Sequence, residues 1–303
     1  MHLLMIFVDG FGLGQEEDNP IVAAATPNID RLLGGHLLWG KGIADRESVK
    51  LRPVDATLGV EGTPQSATGQ TTLWTGVNGA KALGYHLKAY PNKILTEIIN
   101  QHSIFKQLYT KGKKVAFANA FSDEYLQRIA EGQSKHSAST LCALAGSARL
   151  FGIKELIAGS AVYHDLTNQK LREAGKEVPL YTPFKSGINL ASIAEAYDFT
   201  LFEIYLTDTK GHKRLWDESV EFIGRIDEMI GGLMSRLEES SKKMAVLLTS
   251  DHGNIEDFQT PGHTLNPVPA LGWSNFPLDW PKWTKLEDIT PGIVYLFDVY
   301  GSL

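Results

Sequence analysis

The chain has 303 residues, of which 43% are apolar and 21% charged, and a formal net charge of −6. Those values describe a globular protein able to bury a sizeable core, in one large domain or two small ones. The acid excess argues against a general nucleic-acid binder, which needs a basic stripe, and leaves small phosphorylated substrates open because bound metals supply positive charge locally.

The first apolar run, Leu3 to Val8, predicts a buried core strand that closes on Asp9. It is too short for a signal segment, and no stretch of 18 apolar residues predicts a membrane span. The turn behind it carries Gly10, Gly12 and Gly14 but no helix start, so a dinucleotide-binding reading is weak. Thr26 and Pro27 predict a helix entrance, Thr26 as N-cap and Pro27 in the first turn. Ser66, in Pro64-Gln65-Ser66-Ala67-Thr68-Gly69, precedes a helix start. There the free N–H groups and the positive end of the helix dipole favour an alkoxide or a phosphate; a plain capping serine is the commoner fate. Lys81, His86 and Lys88 follow as weak candidates for meeting an anionic substrate, with solvated surface side chains as the simpler reading.

Residues 103–112 predict an amphipathic helix ending at Gly112, and 114–120 a second strand. Residues 123–188 break the rhythm and are either a small inserted cap or more of the main domain. Cys142, the one cysteine, lies in an apolar helix pattern and is read as core; no intrachain disulfide is possible, which fits a reducing, cytoplasmic setting. His136 and His164 have no partner at metal spacing and receive no role. A third strand spans 201–206, followed by Asp208 and His212 at a four-residue spacing that places both on one side of a helical path. The longest helix pattern covers about 214–240. A fourth strand, 244–250, runs into Ser250-Asp251-His252-Gly253-Asn254. Asp251 and His252 are adjacent, so both reach one site only through an irregular turn, which Gly253 permits. His263 sits in a stiff Pro-Gly-His-Thr loop, and Trp273, Trp280 and Trp283 are read as packing on the sheet.

Strands alternating with helices predict a single-domain, three-layer α/β/α sandwich with a mainly parallel central sheet over 1–303. Asp9, Asp208 and Asp251 each follow a strand, and in open α/β sheets ligands gather at the carboxyl ends of strands. Carboxylates and imidazoles converging there suit divalent cations. Each residue alone has a bland explanation; together they point to one shared site.

In their order along residues 9 to 264, these motifs resemble the alkaline phosphatase superfamily of metalloenzymes. The likeness is nearest to the branch holding cofactor-independent phosphoglycerate mutase and phosphopentomutase. The resemblance implies an alkaline phosphatase-like fold and two divalent metal ions, zinc or manganese first. Asp208, His212 and His263 would hold one metal. Asp9, Asp251 and His252 would hold the other, with Ser66 completing its shell. Ser66 would be the nucleophile, forming a phosphoserine on a small phosphorylated substrate. Three departures from the mutases bear on the reaction. Gln65 and Gln70 replace an asparagine and a histidine of the serine motif, the 123–188 insert is small, and no arginine cluster for a sugar acid is visible. A mutase must shield its phosphoenzyme from water, so the expected activity is hydrolysis of a phosphate mono- or diester. A phosphomutase is the alternative, and a non-catalytic metal-binding module the second.

Overall fold

β1 (His2–Val8) is buried at every position from Leu3 onward. Leu4, Ile6 and Val8 enter one apolar cluster and Leu3, Met5 and Phe7 another. Successive strand residues point to opposite faces, so a run that is apolar at each position is a strand covered on both sides. The computed structural model describes residues 1–38, 48–132 and 135–301. Its other strands are β2 (Val49–Val54), β3 (Val115–Ala120), β4 (Arg149–Phe151), β5 (Phe199–Ile204), β6 (Met244–Thr249) and β7 (Val268–Ser274).

They form one sheet in the order β2-β7-β6-β1-β5-β3-β4. The pairings of β1 with β5 and β6, and of β3 with β4 and β5, are parallel; β7 runs antiparallel to β6 and β2. Helices cover both faces, giving the predicted three-layer α/β/α sandwich with a mainly parallel sheet. On one face lie Pro27–Leu33, Pro183–Ala196 and Trp216–Leu237. On the other lie Ser66–Thr75, Lys93–His102, Ala138–Ala145 and Ile289–Tyr300, with Cys142 fully buried among them. Among the described residues no helix is long and apolar enough to cross a membrane.

The four strands read from the sequence are present; β2, β4 and β7 were not foreseen. β2 carries Pro53 and alternates in burial, the pattern of an edge strand that can lack one donor. β4 has only three residues, and β7 is interrupted by Pro269 and Gly272. The long helix starts later than its apolar pattern, at Trp216, because Arg214 adopts φ 53° and ends a separate helix, Leu206–Lys213. Thr26 sits at the N-cap of Pro27–Leu33 but makes no side-chain cap. Asp227 of the long helix caps it instead, accepting from the Asn28 N–H at 3.2 Å and the Ile29 N–H at 2.8 Å. A carboxylate there also meets the positive end of the dipole. Within 123–188, β4 joins the sheet and Ala138–Ala145 joins the core, whereas Asp123–Ala130 buries no residue.

The Ser66–Thr75 helix is buried from Ala67 to Thr75. Its polar content is reconciled with burial internally. Thr71, Thr72 and Thr75 hydroxyls donate to the carbonyls of Ala67, Thr68 and Thr71 at 2.6, 2.7 and 2.6 Å, so no hydroxyl of the three is buried unpaired.

Candidate metal and catalytic site

Asp9 follows β1, Asp208 lies on the helix after β5, and Asp251 follows β6. β1 is flanked by β5 and β6, so three adjacent strand ends deliver three carboxylates to one crevice. Two groups form there. Asp208, His212 and His263 offer ligand atoms within 4.8 Å of one another, and so do Asp9, Asp251 and His252. The eight-residue helix Leu206–Lys213 sets Asp208 and His212 one turn apart, with Nε2 to Oδ2 at 3.4 Å. His263 arrives on its loop and reaches Asp208 Oδ1, also at 3.4 Å.

The imidazoles are oriented from behind. His263 Nδ1–H donates to the Pro64 carbonyl at 2.6 Å, which turns Nε2 toward Asp208 and His212. The Nε2 atoms of His212 and His263 stand only 2.9 Å apart. Two lone pairs are held that close only with a proton or cation between them. His252 stacks on His263 at 3.7 Å between ring centroids, and its Nε2 lies 3.5 Å from Asp9 Oδ1 and 3.4 Å from Asp251 Oδ2. Those two oxygens, Asp9 Oδ1 and Asp251 Oδ2, are buried without a hydrogen-bond partner. Orphaned carboxylate oxygens facing an imidazole in a dry site are costly. A divalent cation satisfies them, and the O and N donors suit zinc, manganese or magnesium. The residues fit the metals that the sequence motifs imply.

Ser66 is the first residue of its helix, not the cap; Gln65 holds that position. The first turn closes with the Gly69 N–H on the Gln65 carbonyl, which leaves the earlier N–H groups at the open end. Ser66 Oγ lies 3.1 Å from His252 Nε2.

Charge is unevenly matched. Burial and the neighbouring charges of Asp251 and Asp208 raise the Asp9 pKa well above the carboxylate range. Burial pushes Asp208 the same way, but the His263 hydrogen bond, the His252 charge and the Asn254 amide outweigh it and bring Asp208 to about 2. Burial lowers His252, whereas at His263 the Asp208 carboxylate overcomes burial and raises the pKa. For the metal-free protein the sign at Asp9 follows. The folded state holds this proton more tightly than the unfolded chain, so stability falls as pH rises from about 4 through the raised value. Thermal unfolding of chelator-treated protein should show that fall. Asp9→Asn should flatten it, and added zinc or manganese should raise Tm at neutral pH.

Several contributors were not visible in the sequence reading. Glu256, fully buried, accepts from the Gly12 N–H at 3.0 Å, the Asn254 N–H at 2.7 Å, the Thr264 hydroxyl at 2.5 Å and the Asn266 amide at 3.1 Å. One carboxylate thereby ties together the loops carrying Asp9, Asp251-His252 and His263. The Asn254 amide donates to Asp208 Oδ1 at 2.7 Å. Gln70, one of the two residues that depart from the mutase serine motif, donates to Asp9 Oδ2 at 3.4 Å. An acid two residues after Asn254 is all that the sequence offers for Glu256.

Gly253 acts by being small rather than by adopting a left-handed turn. A Cβ there would stand 2.2 Å from both Glu256 Oε1 and the Thr264 hydroxyl. Gly10 needs both properties: φ is +65°, and a Cβ would stand 2.7 Å from Asp208 Oδ1. Gly10→Ala should therefore destabilise the protein by about 1–3 kcal/mol and displace Asp208. Chemical denaturation and divalent-cation titration would measure the two effects.

Asp9, Ser66 and Asp208 line one wall of a cavity of about 720 Å³. Beyond them the lining is Phe117, Phe121, Tyr125, Tyr163, His164, Glu203 and Tyr205, with Lys135 as its basic side chain. Lys81, His86 and Lys88 are not in it. Lys81 and Lys88 are exposed, and His86 Nε2 meets the Val60 carbonyl at 3.2 Å. His164, given no role from sequence, is in the lining; His136 lies behind it, against the Tyr125 hydroxyl at 3.0 Å.

The sheet order and the two carboxylate–imidazole groups define an α/β protein of alkaline phosphatase-like fold. The chain belongs to the metalloenzyme superfamily, whose family model matches residues 1–299. Among curated relatives, a 2,3-bisphosphoglycerate-independent phosphoglycerate mutase of Clostridium botulinum is 30% identical over 112 residues, 35% of this chain and 22% of the mutase. A phosphoglycerate mutase 1 of the same type from Archaeoglobus fulgidus is 30% identical over 131 residues, 43% of this chain and 29% of that protein. The match thus spans less than a third of either relative. Alkaline phosphatase from the Antarctic bacterium TAB5 superposes with a TM-score of 0.51 at 12% identity, covering 98% of both chains. The PH0037 protein of Pyrococcus horikoshii gives 0.56 at 14%, covering 98% of this chain and 97% of its own. At such identities these two structures speak for the fold alone.

Proposed function

We propose that the protein is a two-metal phosphate-ester hydrolase acting through Ser66 on a small phosphorylated substrate. The observation that carries this reading is the position of Ser66 Oγ. It stands at the open N-terminus of a buried helix, 3.1 Å from His252 Nε2, beside two ligand groups of matching donor type. Divalent cations bound by Asp208, His212, His263 and by Asp9, Asp251, His252 would neutralise phosphate charge and supply Lewis acidity. The chain's own residues do the rest. The backbone N–H groups at the start of the helix receive phosphoryl oxygens. The Ser66 hydroxyl oxygen attacks phosphorus, its proton passing through water to the departing alcohol, and phosphoserine remains. Water then attacks that phosphorus, regenerating the hydroxyl and releasing phosphate.

Support for hydrolysis over mutation comes from the short 123–188 segment: β4 joins the sheet and Ala138–Ala145 joins the core, so among the described residues little of it is left to shield a phosphoenzyme from water. The names of the mutase relatives support the alternative, transfer within one substrate. Assaying an aryl phosphate ester with added zinc or manganese tests the reading. Metal-dependent release of phosphate is expected; no release from any mono- or diester in a broad panel would overturn it.

A further inference from the structure

β3 and β5 pair only as far as Phe117 with Leu201 and then separate. Asn119 fills the gap: its side chain donates to the Glu203 carbonyl and accepts from the Glu203 N–H, both at 2.8 Å. The split holds Glu203 at the cavity floor. Ser139 donates to Glu203 Oε2 at 2.7 Å, and among the described residues no cation pairs with this carboxylate. The wall beside it is a row of rings. Tyr163 and His164 are 4.1 Å apart between centroids, and His164 and Tyr205 are 4.3 Å apart. His164 is 8% exposed, and its Nδ1 is buried without a partner. Burial lowers its pKa to about 4, so it is neutral at physiological pH. Phe121 and Tyr125, stacked at 5.4 Å, also face the cavity. Lys135, the one basic side chain of the lining among the described residues apart from His164, is engaged with the Tyr90 ring face at 4.6 Å.

Burial raises the Glu203 carboxyl to about 7, and an acid with no cationic partner next to a phosphoryl-binding centre disfavours anionic substrates, the more so as it ionises. It becomes favourable only when the substrate brings a positive charge, and aromatic faces around a carboxylate are a receptor for cationic nitrogen. We propose that the cavity takes a phosphate ester whose alcohol part carries a cationic nitrogen, paired with Glu203 and placed against the Tyr163 and Tyr205 rings. This rests on the hydrolase reading above and narrows its substrate class. It also disfavours phosphorylated sugar acids, whose carboxylate would face Glu203.

Three esters test it with metal-loaded enzyme: phosphoethanolamine, a neutral alkyl phosphate of the same length, and 3-phosphoglycerate. kcat/KM for the ammonium ester should exceed the neutral one by about tenfold or more, with the acid ester slowest. In Glu203→Gln the ammonium-to-neutral ratio should collapse toward one. Calorimetric binding of ethanolamine and choline to the metal-free protein gives a readout independent of turnover, and Glu203→Gln should abolish it. Equal rates across the three esters, or a ratio unchanged in Glu203→Gln, would overturn the proposal while leaving hydrolysis intact. Amine binding through Glu203 with no ester turned over would instead uphold the amine pocket and refute the hydrolase reading.

Discussion

Ser66→Ala is expected to lower kcat/KM for an aryl phosphate ester by about 10³-fold or more. The substitution removes one oxygen and leaves the helix, its open N–H groups and both ligand groups in place. Binding of the ester should therefore survive better than turnover, so the loss should appear chiefly in kcat. Acid-quenched wild-type protein should carry a phosphoryl group on the tryptic peptide containing Ser66, and the variant should carry none. Activity within tenfold of wild type in Ser66→Ala would show that water, not this hydroxyl, attacks phosphorus.

The second large effect is expected at a residue that touches neither substrate nor metal. Glu256 receives four donors from three loops. Glu256→Ala strands them in a fully buried place, where each unpaired group costs about 1–3 kcal/mol. A net destabilisation of about 3 kcal/mol or more is expected, read by denaturant unfolding. The loops bearing Asp9, His252 and His263 would lose their common anchor. Divalent-cation affinity should then drop by about 10–100-fold, as it does when groups behind metal ligands are removed. Glu256→Gln keeps the shape and should lie between. Wild-type metal affinity in a folded Glu256→Ala protein would refute the anchoring role.

The contrast between these residues shows what was legible in the chain. Asp9, Asp208, His212, Asp251, His252 and His263 announced themselves because acids and histidines directly after apolar strands are unusual company, and the structure brings them together. Glu256 and Asn254 did not, because their work is to accept or donate to backbone and side chains far away in sequence. No local pattern encodes a hydrogen bond across 244 residues, the separation between Gly12 and Glu256. The fold shows the same division. β1, β3, β5 and β6 are covered on both faces and read as unbroken apolar runs, whereas β2 and β7 carry proline, and β4 is too short to leave a pattern. Thr26 occupies the N-cap its sequence position predicts, but its side chain does not make the cap, for a related reason. Threonine has the right chemistry for the place, but the longer reach of Asp227 from a neighbouring helix captured the same N–H groups.

The helix that bears Ser66 is enclosed on every side from its second residue to its last. A side chain mounted on a loop can drift without disturbing the interior; Ser66 opens a helix that is a fixture of the interior itself. An oxygen misplaced by about 1 Å can cost on the order of a hundredfold in rate. Remodelling around Trp74 or Leu73 should thus lower turnover together with stability. Evolution toward new substrates in this chain would have its freedom at the aromatic end of the cavity, because the hydroxyl end is welded to the core.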